Sequence, residues 1–269
     1  MSQSLAKTGP DAPVLLRHDS GGVATLTLNR GDKYNALSIE LMTAIEDQLA
    51  DIAADPSVRV VVIAGSGKAF CAGHDLGEMT ADPGAEAITA LFGQCSRMMT
   101  TLTEIPQPVI ARVHGTATAA GCQLVAQCDL AVASSVARFG TSGIKVGLFC
   151  STPMVAVTRN LPRKQAMEML MTGDLIDAQA ARLGGLVNHV VEPDQLDQTV
   201  ADLAARIIKN SPLAVARGKK LFYEQIDDSL LAAYARATKV IVANMQDEDA
   251  RAGIDAFINK RPMPVWKAR

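Results

Sequence analysis

Val58 to Ala64 is the segment that most narrows what this chain can fold into. It is nearly all apolar, and Val60, Val61, Val62 and Ile63 are β-branched. Such a run suits a strand buried on both faces, as strands of a parallel sheet are. Val109–Val113 and Leu130–Ala133 are two further runs of this kind, and Val23–Leu28 alternates as a strand with one buried face. Segments of helical periodicity lie between them. Ser38 is an N-cap candidate with Glu40 in the first turn, and Leu41, Ile45, Leu49 and Ile52 form a buried stripe that Asp55-Pro56 ends. Ala85 to Glu104 reads as a second helix, closed by Pro106 and Pro108, and Ala119 to Gln127 as a short third. Strands and helices in alternation predict an α/β fold with right-handed crossovers.

Beyond Ala133 the chain turns helical. Thr152-Pro153 reads as an N-cap followed by proline at the first helical position. Arg163–Thr172 is a helix ending at Gly173, and Asp177 caps Ala178–Leu183, which Gly184-Gly185 stops. Leu186–Val191 is one more strand. From Asp194 to Ile258 only helices are expected: Gln195–Asn210, Leu213–Gln225, Ser229–Met245 and Glu248–Ile258. The organisation is thus a short disordered lead over 1–13, an α/β body over 14–193 and a helical region over 194–269. The stretch before Trp266 suits packing on another subunit.

Composition removes several classes. A hydrophobic share of 48% over 269 residues excludes a disordered chain. A net charge of -2 argues against a nucleic-acid binder, though not against a local basic pocket for a phosphorylated ligand. Five cysteines without a secretory signal suit a reduced compartment. No apolar run approaches the roughly 18 residues a spanning helix needs. Met1 to Pro13 has no apolar h-region and one basic residue, Lys7, which matches neither a signal peptide nor an Arg-rich transit peptide. The expected location is the cytoplasm, or the mitochondrial matrix in a eukaryote.

Gly65-Ser66-Gly67-Lys68 resembles a phosphate loop but fails in detail. The first glycine of that motif falls at Val62 and its Ser/Thr at Ala69. The third glycine of a dinucleotide fingerprint falls at Phe70. Cys71 and His74 are spaced as half a zinc site with no second pair, so no metal is expected. There is no Gly-x-Ser-x-Gly elbow. Glu40, Glu46, Asp47 and Asp51 form a solvated helix face. Two loops remain, Phe70–Leu76 and Gly115–Gln123. Each follows a buried strand and ends at a small-residue helix start. Small residues admit close approach to the backbone, and helix N-termini present unpaired N–H donors. Donors converging from two such loops are suited to a developing oxyanion. The same residues also suit tight turns that pack strand to helix.

At these loops the sequence resembles the crotonase superfamily, the enoyl-CoA hydratase/isomerase family. The landmarks run in order through most of the chain: Leu28-Asn29-Arg30, Asn35-Ala36-Leu37, Lys68 to Leu76, Val113 to Cys122, Cys128-Asp129-Leu130, Arg138-Phe139-Gly140, Ala178 to Val187 and Phe257 to Arg261. Gly73–Leu76, Thr118–Leu124 and Val146–Pro153 narrow it to one branch. The resemblance implies a spiral of ββα units followed by a C-terminal helical region that assembles trimers, often paired into hexamers. It implies an acyl-CoA ligand, with no cofactor beyond that thioester and no metal. The backbone N–H groups of His74 and Ala120 would grip the thioester carbonyl. Ala36, Ala72, Asp75 and Leu76 would line the CoA path, and Lys33, Lys68 and Lys260 would meet its phosphates.

One departure bears on chemistry. The two glutamates that the family's hydratases use fall at Gln123 and Gly143. Glutamine does not exchange a proton near pH 7, and glycine has no side chain. Stand-ins nearby are His74 above all, whose imidazole titrates near neutrality, then Asp75, His114, Thr141, Ser142 and Cys150. The expected protein is an enzyme of acyl-CoA metabolism, nominally a 2-enoyl-CoA hydratase. Isomerase, hydrolase and decarboxylase chemistry stays open, and so does a non-catalytic acyl-CoA-binding protein. Gln123→Glu with Gly143→Glu is expected to raise hydration, unless Gly143 holds a conformation only glycine tolerates.

Overall fold

The computed structural model describes residues 12–267. Apart from Ala12 and Pro13, the lead over 1–13 lies outside the described residues. The chain opens with β1 (Leu15–Ser20) and β2 (Val23–Leu28), then α1 (Ile39–Ala54). Next come β3 (Val60–Gly65), β4 (Ala69–Cys71), α2 (Leu76–Ala81) and α3 (Ala85–Glu104). The following turn holds β5 (Val109–Val113), β6 (Thr116–Thr118) and α4 (Ala120–Gln127). After it stand β7 (Leu130–Ser134), β8 (Arg138–Gly140), α5 (Ser151–Asn160) and α6 (Arg163–Thr172). Then come β9 (Ile176–Asp177), α7 (Ala178–Gly184) and β10 (His189–Val191). The remainder is helical: α8 (Leu196–Ile208), α9 (Pro212–Gln225), α10 (Leu230–Met245) and α11 (Glu248–Ile258).

Three successive turns each give one strand to a large sheet, the next strand to a small one, and then a helix. The large sheet has the order β1-β2-β3-β5-β7-β10 and the small one β4-β6-β8-β9. Pairing from β2 through β10 is parallel, with Leu26 opposite Ile63 and Ile110 opposite Leu130. The expected α/β order therefore holds, and its repeat is a ββα spiral. β3 explains why its sequence is so apolar. Val61 and Ile63 join the main core with α1 and α3, whereas Val60 and Val62 pack under Leu196, Val200, Leu203 and Ala204 of α8. Both faces of the strand are covered.

Several local expectations hold for stated reasons. Ser38 Oγ accepts the Leu41 N–H and starts α1. Gly173 and Gly185 end α6 and α7 in the left-handed region. Others need correction. Helix α5 begins at Ser151 with Cys150 as its N-cap, so Thr152 is inside the helix and Pro153 sits in its first turn, where a missing N–H costs nothing. Only His189–Val191 of the expected Leu186–Val191 strand pairs in a sheet. The loop read over 65–75 contains β4, and residue pattern alone marks none of the strands of the small sheet, the second strands of the ββα units.

Besides the apolar packing of α8, a buried polar knot ties α9 of the helical region to the body. Lys219 of α9 is 9% exposed, and its Nζ donates to Leu102 O at 2.7 Å and Gln107 O at 2.8 Å and pairs with Asp129 at 2.7 Å. Asp129 also accepts the Val109 N–H and the Tyr223 hydroxyl. Beyond this knot, α10 buries no residue at all.

Candidate active site

The two loops leave the C-terminal ends of β3 and β5 and meet beside the turn after β2. Tyr34 and Asn35 both take positive φ, 51° and 54°. Asn35 is fully buried and holds the turn to the first loop. Its Oδ1 accepts the Arg30 N–H at 3.0 Å, and its Nδ2 donates to Ser66 O, Ala69 O and Phe70 O at 2.8, 2.8 and 3.1 Å. The chain then runs beside the first loop. Ala72 N–H donates to Tyr34 O, Leu37 N–H to Gly73 O at 2.7 Å and Asp75 N–H to Leu37 O at 3.0 Å. In a parallel bridge of this kind, the residue flanked by those bonds turns its own N–H the other way. That residue is His74.

The start of α4 lies on that other side. A Cβ built on Gly73 would stand 2.8 Å from Ala119 Cβ and 3.1 Å from Ala120 N, and Gly73 has φ 97°. Only glycine allows this approach. A Cβ on Gly121 would meet Cys71 O at 2.1 Å, so α4 is seated directly on β4. Ala119 carries φ 50° and ψ -122°, a conformation that alanine adopts only under constraint. Ala120, the first helical residue, has one of the N–H groups that a helix leaves unpaired. Among the described residues, neither the His74 N–H nor the Ala120 N–H has an acceptor. The structure thus brings the two loops together with two free donors beside one contact.

The His74 side chain does not suit proton transfer. Its ring packs edge-on against Phe92 at 4.8 Å, and burial pushes its pKa down to about 4. An imidazole that weak is a poor base near pH 7, and its packing on Phe92 fits the other reading of this residue, a packed side chain. Asp75 is occupied too. Its Oδ1 accepts the Gly77 N–H as N-cap of α2, and its Oδ2 pairs with Arg30 at 2.9 Å. These bonds hold its carboxyl below the usual range. Thr141 is buried with its hydroxyl on Met169 O, and His114 Nε2 lies 3.0 Å from Gly67 O. Ser142 Oγ and Thr118 Oγ1 are 2.8 Å apart and tie the end of β6 to the segment carrying Gly143.

Gly143 is more than a missing carboxylate. A Cβ there would lie 2.6 Å from Leu148 O and 2.8 Å from Cys150 Sγ. The Leu148 N–H donates to Gly143 O at 3.0 Å, and the Gly143 N–H donates to the Cys150 sulfur. The φ of Gly143 is not in the left-handed region, so space and not backbone conformation makes glycine necessary. Gly143→Glu would have to break this turn, and the double carboxylate substitution is not a usable rescue. Gln123 fits a fully packed position. It is 4% exposed, and its Oε1 has no hydrogen-bond partner.

Ala36 and Ala72 flank the bridge, and Leu76 begins α2 with 57% of its surface exposed. Lys33 and Lys68 are exposed on adjacent turns, since a Cβ on Gly67 would be 2.9 Å from Gly31 Cα. Lys260 lies past the end of α11, and no side-chain bond among the described residues joins it to either loop. The role of Asn35 as the tie between turn and loop went unread. Its signal was an asparagine at the end of a polar turn, directly before the apolar Ala36-Leu37.

A family model described as enoyl-CoA hydratase/isomerase matches residues 18–269. Enoyl-CoA hydratase domain-containing protein 3 of Xenopus laevis is 43% identical over 94% of this chain and 86% of that protein. It carries the name of the branch to which the three narrowing segments point. A crystal structure of an enoyl-CoA hydratase of Mycobacterium smegmatis superposes with a TM-score of 0.93, at 52% identity, over 94% of this chain and 99% of that one. The human enoyl Coenzyme A hydratase domain-containing protein 3 structure gives 0.91 at 40% identity, over 94% and 100%.

Proposed function

The chain belongs to the enoyl-CoA hydratase/isomerase family, and from that premise we propose that it binds acyl-CoA thioesters with the carbonyl oxygen between the N–H groups of His74 and Ala120. One observation carries this reading: Gly73 touches Ala119 and Ala120 closely enough to leave two unpaired donors side by side. Pre-aimed donors stabilise the charge that a thioester oxygen gains on enolisation, each by about 10²–10³ in rate. Backbone donors need no cofactor. Lys33 and Lys68 on their adjacent turns would meet the CoA phosphates, with Ala36, Ala72 and Leu76 along the path. The protein acts in acyl-CoA metabolism as a trimer or a pair of trimers, with the bare face of α10 turned to a neighbouring copy.

Water addition is a weaker expectation. Gln123 carries no exchangeable proton and Gly143 has no room for a side chain, and a positioned acid or base is worth roughly 10²–10⁴. These two positions favour, as a second reading, an acyl-CoA-binding protein that turns over slowly or not at all. Calorimetry with butyryl-CoA and a crotonyl-CoA hydration assay test both. Binding is expected, with hydration well under about 10 s⁻¹. Ala120→Val should weaken butyryl-CoA binding about tenfold by crowding the donor, and Gln123→Ala should weaken it less. The reverse ranking removes Ala120 from the hole. Fast native hydration removes the impaired-hydratase reading.

A further inference from the structure

We propose that Arg30 strengthens the His74 donor through two peptide groups set in line, and is thereby a positioning residue for any reaction of the bound thioester. This rests on the acyl-CoA reading of the same site. The chain of bonds is explicit. Arg30 Nη1 donates to Ala36 O at 2.6 Å. The Leu37 N–H, on the same peptide group as that oxygen, donates to Gly73 O at 2.7 Å. The His74 N–H, on the same peptide group as Gly73 O, is the free donor. In a trans peptide the C=O and N–H point in opposite directions, and every peptide among the described residues is trans. The series therefore runs from a cation, through two aligned dipoles, to the hydrogen that would meet the thioester oxygen.

Hydrogen bonds in series polarise one another, and a bond that starts on an ionised donor is stronger than a neutral one. Each peptide group here accepts on its oxygen, which makes its own N–H a better donor. Neighbouring groups hold the guanidinium in place. The Arg30 N–H donates to Asn35 Oδ1 and the Arg30 O accepts from Lys33 and Asn35, so its backbone is pinned. Arg30 Nη2 pairs with Asp75 at 2.9 Å, which turns the other arm of the fork onto Ala36 O. Asp75 damps the charge as it fixes its position, and Ala36 O is the nearer of the two acceptors. The two side chains are 19% and 23% exposed, so water screens the charge only in part. The two donors of the site thus have different support. Ala120 opens α4, whose aligned peptide groups place positive potential at its N-terminus. His74 precedes α2 and lies outside it, and the cation of Arg30 takes the place of a helix behind it.

The test is infrared difference spectroscopy of the native protein saturated with butyryl-CoA that is isotope-labelled at the thioester carbonyl. Hydrogen bonds to a carbonyl lower its stretching frequency, so the bound ligand should absorb below the free one. Arg30→Gln, which loses the cation, should forfeit about a quarter of that shift while calorimetric affinity stays within about tenfold. Arg30→Lys keeps the charge and should restore at least about half of the loss. A native shift that survives whole in Arg30→Gln overturns the proposal and leaves acyl-CoA binding and the two donors standing. Weaker binding with the frequency unchanged does the same, by making Arg30 a structural residue, and so do equal losses of shift in the two variants. If Arg30→Gln does not fold, Arg30→Lys decides: loss of about half of the native shift or more overturns the proposal, because the charge is then not what acts. If butyryl-CoA binds to the native protein without any shift, or does not bind, the reading of the hole falls and this proposal with it.

Discussion

Helices α3 and α10 are similar in length, 20 and 16 residues, and both are apolar on one side. Their fates differ. The α3 stripe of Leu91, Cys95, Met98, Met99 and Leu102 is buried in the body's own core. The α10 side chains Leu230, Leu231 and Tyr234 are 75%, 84% and 68% exposed. An amphipathic pattern therefore says that a face exists and not which chain covers it. The body closes on itself with apolar packing. The helical region joins it through the apolar face of α8 and the Lys219 knot of α9, and α10 presents its apolar side outward.

The largest test of that contrast cuts the polar knot. Lys219→Ala leaves the buried Asp129 carboxylate without its cation, which should cost about 3–5 kcal/mol in urea unfolding. A loss under about 1 kcal/mol would mean that apolar contacts hold α9 after all. The second test leaves the body alone. Leu231→Glu with Tyr234→Glu should weaken self-association by about 3 kcal/mol while leaving the unfolding of the body unchanged. Native mass measurement reads it, and a native mass of 28.4 kDa at every concentration would refute an assembly through α10. The third test sharpens the body's side. His74 titrates near 6.5 when unfolded and at about 4 when buried, so the unfolded chain binds the extra proton between those values. Stability is whole above pH 6.5 and falls as pH drops to 4, by about 3 kcal/mol. His74→Asn should flatten that slope in acid denaturation, and an unchanged slope would mean that the ring is open to water. His114 is depressed by burial in the same direction and should keep a residual slope.

Legibility in the sequence followed element length. Helix α3 and strand β5 have the bounds that periodicity predicts, because twenty residues, or a five-residue run with four apolar residues between prolines and a glycine, leave little choice. Strands β4, β6, β8 and β9 span two or three residues each. No period shows in three residues, and these strands exist because the spiral lays successive turns side by side. The same limit governed the site. Glycines and alanines in both loops announced a close approach of backbones, and the resemblance named His74 and Ala120. That Gly143 answers to the Leu148 carbonyl, and His74 to Phe92, depends on contacts between segments far apart in the chain. Composition carries no trace of them.

The setting of Asn35 also protects its amide from deamidation. Asparagine side chains deamidate when the next residue's backbone nitrogen attacks the amide carbon, and here that nitrogen, on Ala36, is committed to Lys33 O at 3.0 Å. The side chain is fully enclosed, with its own nitrogen pointing at three carbonyl oxygens. The folded molecule thus protects the amide. A chain that lost it while unfolded would return with a carboxylate facing those three oxygens, and could not rebuild the turn that carries the first loop. Deamidation at this one position is therefore expected in chains that have opened and not in folded ones.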